Sequence, residues 1–93
     1  MVHVVTYDLE SPNDKPEDYE RVISGLKSIF PTWCHMEKSV WIVETSKDAG
    51  EVRDLLKQFL KSSDILFVAK LSGNWGSFNI GTNRSEWLKK REF

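Results

Sequence analysis

The amino-acid sequence predicts an α+β fold. Four short segments are rich in β-branched and aromatic residues, and two longer segments repeat apolar residues at helical spacing. These segments follow one another in the order β-α-β-β-α-β. A chain of 93 residues leaves room for one domain, so we expect all six segments to share one fold.

The composition is typical of a globular protein, with 40% hydrophobic and 29% charged residues. No apolar run approaches the roughly 20 residues that a membrane span requires, and no basic segment precedes a signal-like apolar run. Cys34 is the single cysteine, whereas small secreted domains usually carry paired cysteines. We therefore expect a cytoplasmic protein with no membrane partner.

The net charge of −1 argues against a protein that binds nucleic acid regardless of sequence. Acidic residues outnumber basic ones in residues 1–50, and the reverse holds in residues 51–93. This asymmetry fits a solvated surface or two parts of an assembly interface.

The first predicted strand, residues 3–8, ends in the carboxylate of Asp8. Residues 9–16 are dense in turn formers and predict a loop. A helix is expected to begin near Pro16 and to stop at Pro31, and Gly25 within it indicates close packing. Its apolar stripe consists of Tyr19, Val22, Ile23, Leu26, Ile29 and Phe30.

Residues 32–37 and 40–45 predict two strands joined by a tight connection. Thr45 and Asp48 have the spacing of a capping box, which predicts that the second helix begins at residues 46–47. The buried stripe of that helix consists of Val52, Leu55, Leu56, Phe59 and Leu60. Residues 65–71 form the fourth and most apolar strand.

This order predicts a ferredoxin-like domain over residues 1–72, with an antiparallel sheet of order 4-1-3-2 and both helices on one face. Residues 40–43 and 65–69 are apolar at both odd and even positions. The second face therefore requires a cover, supplied either by a C-terminal extension at residues 73–93 or by another subunit. We expect a homodimer.

The C-terminal extension is rich in Gly, Asn and aromatic residues, which predicts an irregular path that docks on the sheet or on a partner subunit. A short helix at residues 85–90, capped by Thr82 or Asn83, would direct Trp87 and Leu88 inward.

Asp8 is the first candidate for chemistry, because a carboxylate at the end of a central strand can bind a metal ion. Glu10 and Asp14 are near enough in sequence to contribute. Asp8 can equally cap the turn that follows or pair with a basic neighbour. One carboxylate is insufficient for Mg²⁺, but a twofold axis would bring two copies of Asp8 together.

His3, Cys34 and His35 are the residue types of a zinc site, but their spacing argues against one. Cys34 and His35 are adjacent in a strand, so their side chains point to opposite faces. His3 and His35 lie on strands separated by a third strand. A structural zinc site needs four converging ligands.

The four tryptophans are candidates for stacking on nucleobases. Only Trp87 has basic neighbours, among them Lys89 and Lys90. These three residues are therefore candidate substrate-binding residues, and packing in a core or interface is the alternative for each tryptophan.

The segments VVTYD at residues 4–8 and EKSVW at residues 37–41 resemble the small CRISPR-adaptation protein that partners the spacer integrase. The virulence-associated protein D ribonuclease toxins are similar in the same way. The segments SVWIV at 39–43 and SEWL at 85–88 resemble most closely a bacterial group often labelled SinR-like.

The resemblance implies a ferredoxin-like homodimer in which Asp8 matches the family's aspartate and Tyr7 its preceding aromatic residue. Tyr7 is therefore also a candidate substrate-binding residue beside Asp8. It also implies a nuclease that cleaves RNA or DNA with Mg²⁺ or Mn²⁺ held by Asp8 of both subunits. The acidic start of the first helix departs from the basic stretch of the adaptation members. This departure favours the alternative, a non-catalytic dimeric module that binds a protein or nucleic acid.

Overall fold

The computed structural model describes residues 1–10 and 15–93 and confirms the α+β class. The order of the first six elements is the predicted one. The elements are β1 (Val2–Asp8), α1 (Pro16–Ile29), β2 (Thr32–Glu37), β3 (Val40–Glu44), α2 (Ala49–Lys57), β4 (Ile65–Lys70) and α3 (Thr82–Lys89). The centre of the predicted loop, residues 11–14, lies outside the described residues.

The four strands form one antiparallel sheet of order β2-β3-β1-β4, which is the predicted 4-1-3-2 order read from the other edge. β1 is therefore central, as predicted, and it pairs with β3 on one side and β4 on the other. Side chains alternate along each strand, so neighbouring residues of β1 face opposite sides of the sheet.

The first face of the sheet is covered by α1 and α2. Pro16 occupies the first turn of α1 with Glu17 and Asp18 behind it, and the helix ends before Pro31, as the sequence predicts. The apolar stripes of both helices pack on odd-numbered β1 residues and their neighbours on β3. This core contains Val5, Tyr7, Leu9, Val22, Leu26, Phe30, Trp41, Val43, Val52 and Leu56.

The second face is covered in part by the C-terminal segment, which we define as residues 71–93. Leu88 of α3 is buried against the sheet, in a cluster with Val2, Cys34 and Ile42. Trp87 donates its indole N–H to Thr32 Oγ1 at 2.9 Å. Each of these sheet partners belongs to β2, β3 or the start of β1, so the cover is one-sided.

A strip of the second face stays open along β1 and β4. We define the open strip as Thr6 and Asp8 of β1 with Ile65 and Phe67 of β4, which pair in the ladder. The side chains of Ile65 and Phe67 are 62% and 61% exposed. Residues 1–10 and 15–93 therefore cover the second apolar face only in part.

Two predicted helix starts are wrong. α2 begins at Ala49 with Asp48 as its cap, because Asp48 and Glu51 form a reciprocal capping box. Thr45 instead accepts a hydrogen bond from Lys47 N. α3 begins at Thr82, three residues earlier than predicted, after Gly81, whose positive φ of 85° suits a residue without Cβ.

No helix in residues 1–10 and 15–93 is long and apolar enough to span a membrane.

Gly25 lies where α1 meets the residues after α2. A Cβ at this position would come within 2.5 Å of the Phe59 ring. The predicted close packing at Gly25 is therefore confirmed.

Gly25→Ala is expected to lower the free energy of unfolding by about 1–2 kcal/mol, since overpacking costs more than the helix propensity that Ala adds. Urea unfolding followed by circular dichroism measures the difference. Ser24→Ala is the matched control, because Ser24 is exposed on the same helix. An equal or higher stability of Gly25→Ala would contradict the packing argument.

Candidate functional site

Asp8 is the last residue of β1, and it lies exposed at one end of the open strip. It pairs with Ile65 in the ladder, so an apolar side chain stands beside it on the same face. Its carboxylate makes no hydrogen bond or ion pair with the part of the chain that the structure describes. Asp8 is thus available to a ligand or a second copy of the chain.

The second face also holds a cleft of about 510 Å³ between the sheet and the C-terminal segment. Val4, Val40 and Ile42 form its floor, and Trp75 and Ile80 line the opposite wall. Phe78 also lines it and is 92% exposed. The cleft and the open strip together leave an apolar surface on one side of the molecule.

The other predicted metal ligands near Asp8 are Glu10 and Asp14. The backbone N–H of Glu10 donates to Asp64 Oδ1 at 2.8 Å, and Asp14 lies outside the described residues. No group of three or more His, Cys, Asp and Glu side chains in residues 1–10 and 15–93 is arranged to hold a metal ion. Within the described residues, Asp8 is therefore not part of a cluster of three or more such ligands.

Tyr7 lies on the first face, opposite to Asp8, and it is buried. Trp41 donates its indole N–H to the Tyr7 hydroxyl at 3.0 Å. Burial raises the pKa of the Tyr7 phenol above its usual range, and the hydrogen bond from Trp41 opposes part of that rise. Tyr7 thus joins two central strands inside the core.

An aromatic cluster covers Trp41 at the β2 side of the first face. His35 stacks on Trp41 with ring centroids 3.8 Å apart and planes 5° from parallel. Trp33 meets Trp41 edge-on at 5.3 Å, and Lys27 Nζ lies 4.7 Å from the Trp33 ring. Sequence reasoning missed this cluster, although the i, i+2 spacing of Trp33 and His35 in a strand places them on one face.

The candidate substrate-binding residues Trp87, Lys89 and Lys90 belong to α3 and its cap, over β2 and β3. Trp87 is half-buried, and Arg91 lies over its ring at 4.5 Å. Arg91 also pairs with Glu44 of β3 at 2.8 Å. Lys89 and Lys90 are exposed. The contacts of Trp87 hold α3 to the sheet, away from the open strip.

His3 and Cys34 lie on opposite faces of the sheet. His3 is fully buried on the first face, where its Nε2 is 2.7 Å from the carbonyl of Lys47. Its Nδ1 has no hydrogen-bond partner in the described part of the chain. Burial raises the pKa of the Cys34 thiol, while Arg84 acts in the opposite direction.

The sequence matches no known protein-family model.

Tyr7→Phe is expected to lower the free energy of unfolding by about 1–3 kcal/mol, because it leaves the Trp41 N–H buried without an acceptor. The raised pKa of Tyr7 adds a pH dependence. Its stabilising contribution is complete below the unfolded pKa of about 10 and is lost as the pH rises through the higher folded value. Chemical unfolding at pH 7 and above pH 10 measures both effects.

Tyr19→Phe is the matched control, since the Tyr19 ring packs against the same core but does not accept the Trp41 N–H. A Tyr7→Phe protein as stable as wild type at pH 7 would contradict a structural role for the bond.

Proposed function

We propose that this chain is a ferredoxin-like, homodimeric interaction module that assembles through the open strip of its second sheet face. The observation that supports it best is the exposure of Ile65 and Phe67 on a strand. Exposed apolar side chains that are contiguous on a sheet mark association surfaces, whereas single ones need no explanation. The βαββαβ order and the central position of β1 support the ferredoxin-like assignment.

The free energy gained by removing the strip's apolar side chains from water is substantial compared with the free energy of a typical association. Removing a side chain of the size of Ile or Phe from water is worth about 1.5–3 kcal/mol. Twofold symmetry doubles each contribution, because each copy supplies the same residues. Part of this gain offsets the loss of translational and rotational freedom on binding.

A protein is the partner class that fits this module best. The open strip and the adjoining cleft are mainly apolar, and the net charge of the chain is −1. Nucleic-acid binding by contrast depends on clustered Lys and Arg and weakens steeply with salt. Binding to RNA or DNA that falls steeply with added salt would contradict the assignment of a protein partner.

Metal-dependent phosphodiester hydrolysis is a second candidate function, favoured by the exposed Asp8 carboxylate on the same strip. If two strips faced each other, Asp8 from both copies would hold one Mg²⁺ or Mn²⁺ ion. Such an ion supplies Lewis-acid activation of the phosphate and of a water molecule. Asp8 would be the metal ligand in this reaction, and Tyr7 would act only by fixing the strand.

The wild-type protein is expected to be dimeric at micromolar concentration, and Phe67→Ser is expected to shift it toward monomer because it removes an apolar contact from the interface. Sedimentation velocity over a concentration series measures the shift. Phe93→Ser is the matched control, since Phe93 lies outside the open strip. A wild type that stays monomeric throughout the series would contradict the proposed module.

The hydrolytic candidate predicts cleavage of RNA or DNA that requires Mg²⁺ or Mn²⁺ and is abolished by Asp8→Asn. Glu20→Gln is the matched control, because Glu20 is an exposed carboxylate on α1, away from the open strip. Cleavage of labelled oligonucleotides, with and without EDTA, measures the activity. Equal activity in wild type and Asp8→Asn would identify a contaminating nuclease and remove this candidate.

A further inference from the structure

The two edge strands of the sheet, β2 and β4, differ in how well they are protected from pairing with another chain. At the β2 edge, a register shift between His35 and Glu37 interrupts the ladder. Arg84 Nε also donates to the carbonyl of His35 at 2.8 Å, which occupies an outward backbone group. Irregular pairing and covered backbone groups are the usual means by which proteins prevent an edge strand from pairing with another chain.

The β4 edge has neither kind of protection. Its ladder with β1 is regular from His3–Lys70 to Asp8–Ile65, and β4 contains no proline. Leu71 N–H donates to Val2 O at 2.8 Å, so the backbone groups of odd-numbered residues point toward β1. Those of Leu66, Val68 and Lys70 therefore point outward, and no hydrogen bond from residues 1–10 or 15–93 reaches them.

We propose that β4 pairs antiparallel with β4 of a second copy of this chain, with the twofold axis passing beside Phe67. This inference rests on the self-association proposed above and places the contact at the β4 edge of the open strip, so that the two strips lie side by side on one sheet rather than face to face. The outward groups of Leu66 bond those of the partner's Val68, and the reverse pair follows by symmetry. The result is a continuous eight-stranded sheet.

The charges at the two ends of β4 favour the register with the axis beside Phe67. With the axis beside Phe67, Asp64, the residue before β4, stands opposite the partner's Lys70. The Asp64 carboxylate already accepts backbone N–H bonds from Glu10 and Lys61, which hold it at the strand end where it would face the ammonium group. Moving the axis to Val68 would place Lys70 opposite the partner's Leu66 and leave its charge without a partner. Opposite charges directly across a strand pair stabilise it, whereas mismatched pairs do not.

The same register brings the two open strips together. Phe67 lies next to the partner's Phe67, and Ile65 lies next to the partner's Ala69, all on the second face. Both are non-hydrogen-bonded pairs, in which side chains approach most closely. The most exposed residues of β4 thus gain an apolar neighbour on pairing.

The pairing also has a consequence for Asp8. Three strand spacings and a four-residue offset separate the two copies of Asp8, which places them about 20 Å apart. One metal ion cannot bind two carboxylates at that distance. The edge-paired dimer is therefore the form of an interaction module and not of a shared-metal nuclease.

Cysteine cross-linking tests the register. In a Cys34→Ser background, Phe67→Cys is expected to form a disulfide-linked dimer in air, because directly opposed Cβ atoms lie about 4.5–5.5 Å apart. Ile65→Cys alone and Ala69→Cys alone are expected to remain unlinked. An equimolar mixture of the last two is expected to give a linked heterodimer, detected by intact mass.

A second variant tests the charge pairing without new cysteines. Lys70→Glu places like charges opposite each other and is expected to raise the dimer Kd about threefold to tenfold, whereas Lys70→Arg leaves it unchanged. Lys70 lies on the first face, so a dimer formed by contact of the two second faces would not respond.

The sedimentation and cross-linking results distinguish a failure of edge pairing from a failure of self-association. A protein that is monomeric by sedimentation and unlinked in every cysteine variant overturns both. A dimer in which the Ile65→Cys and Ala69→Cys mixture stays unlinked, or in which Ile65→Cys links to itself, overturns the edge pairing but retains self-association.

Discussion

The apolar character of both faces of the central strands is the constraint on which the rest of this structure depends. Two amphipathic helices cover one face, and among the described residues a short C-terminal segment that contains α3 packs on the other. That segment is anchored at β2 and β3 through Trp87 and Arg91. The C-terminal segment consequently does not reach the β1–β4 side of the second face, which is the open strip.

Because side chains alternate along β1, the buried Tyr7 and the exposed Asp8 lie on opposite faces of the sheet. Tyr7 points into the core and accepts a hydrogen bond from Trp41, while Asp8 points to the open strip and makes no hydrogen bond or ion pair with the described residues. One strand thus supplies both a buried link between β1 and β3 and an exposed carboxylate. Tyr7 and Asp8 were both predicted as site residues, but consecutive residues of a strand point to opposite faces of the sheet.

Local patterns were sufficient to predict the order of the elements, the sheet order and the limits of α1, because Pro16, Pro31 and the apolar stripes are local signals. They failed at α2, where Thr45 and Asp48 compete with Asp48 and Glu51 for the same capping geometry, and only the second pair can bond reciprocally. The extent of the open strip was not predictable. It depends on contacts such as Arg91 with Glu44, which join residues 47 positions apart.

The buried thiol of Cys34 has a consequence for the dynamics of the C-terminal segment. Cys34 lies in the cluster that Leu88 closes, and burial raises the pKa of its thiol, so it is shielded and protonated while α3 is docked. Alkylation therefore requires undocking, and its rate reports the free energy of that local opening. The alkylation rate of Cys34 therefore measures how often α3 leaves the second face of the sheet.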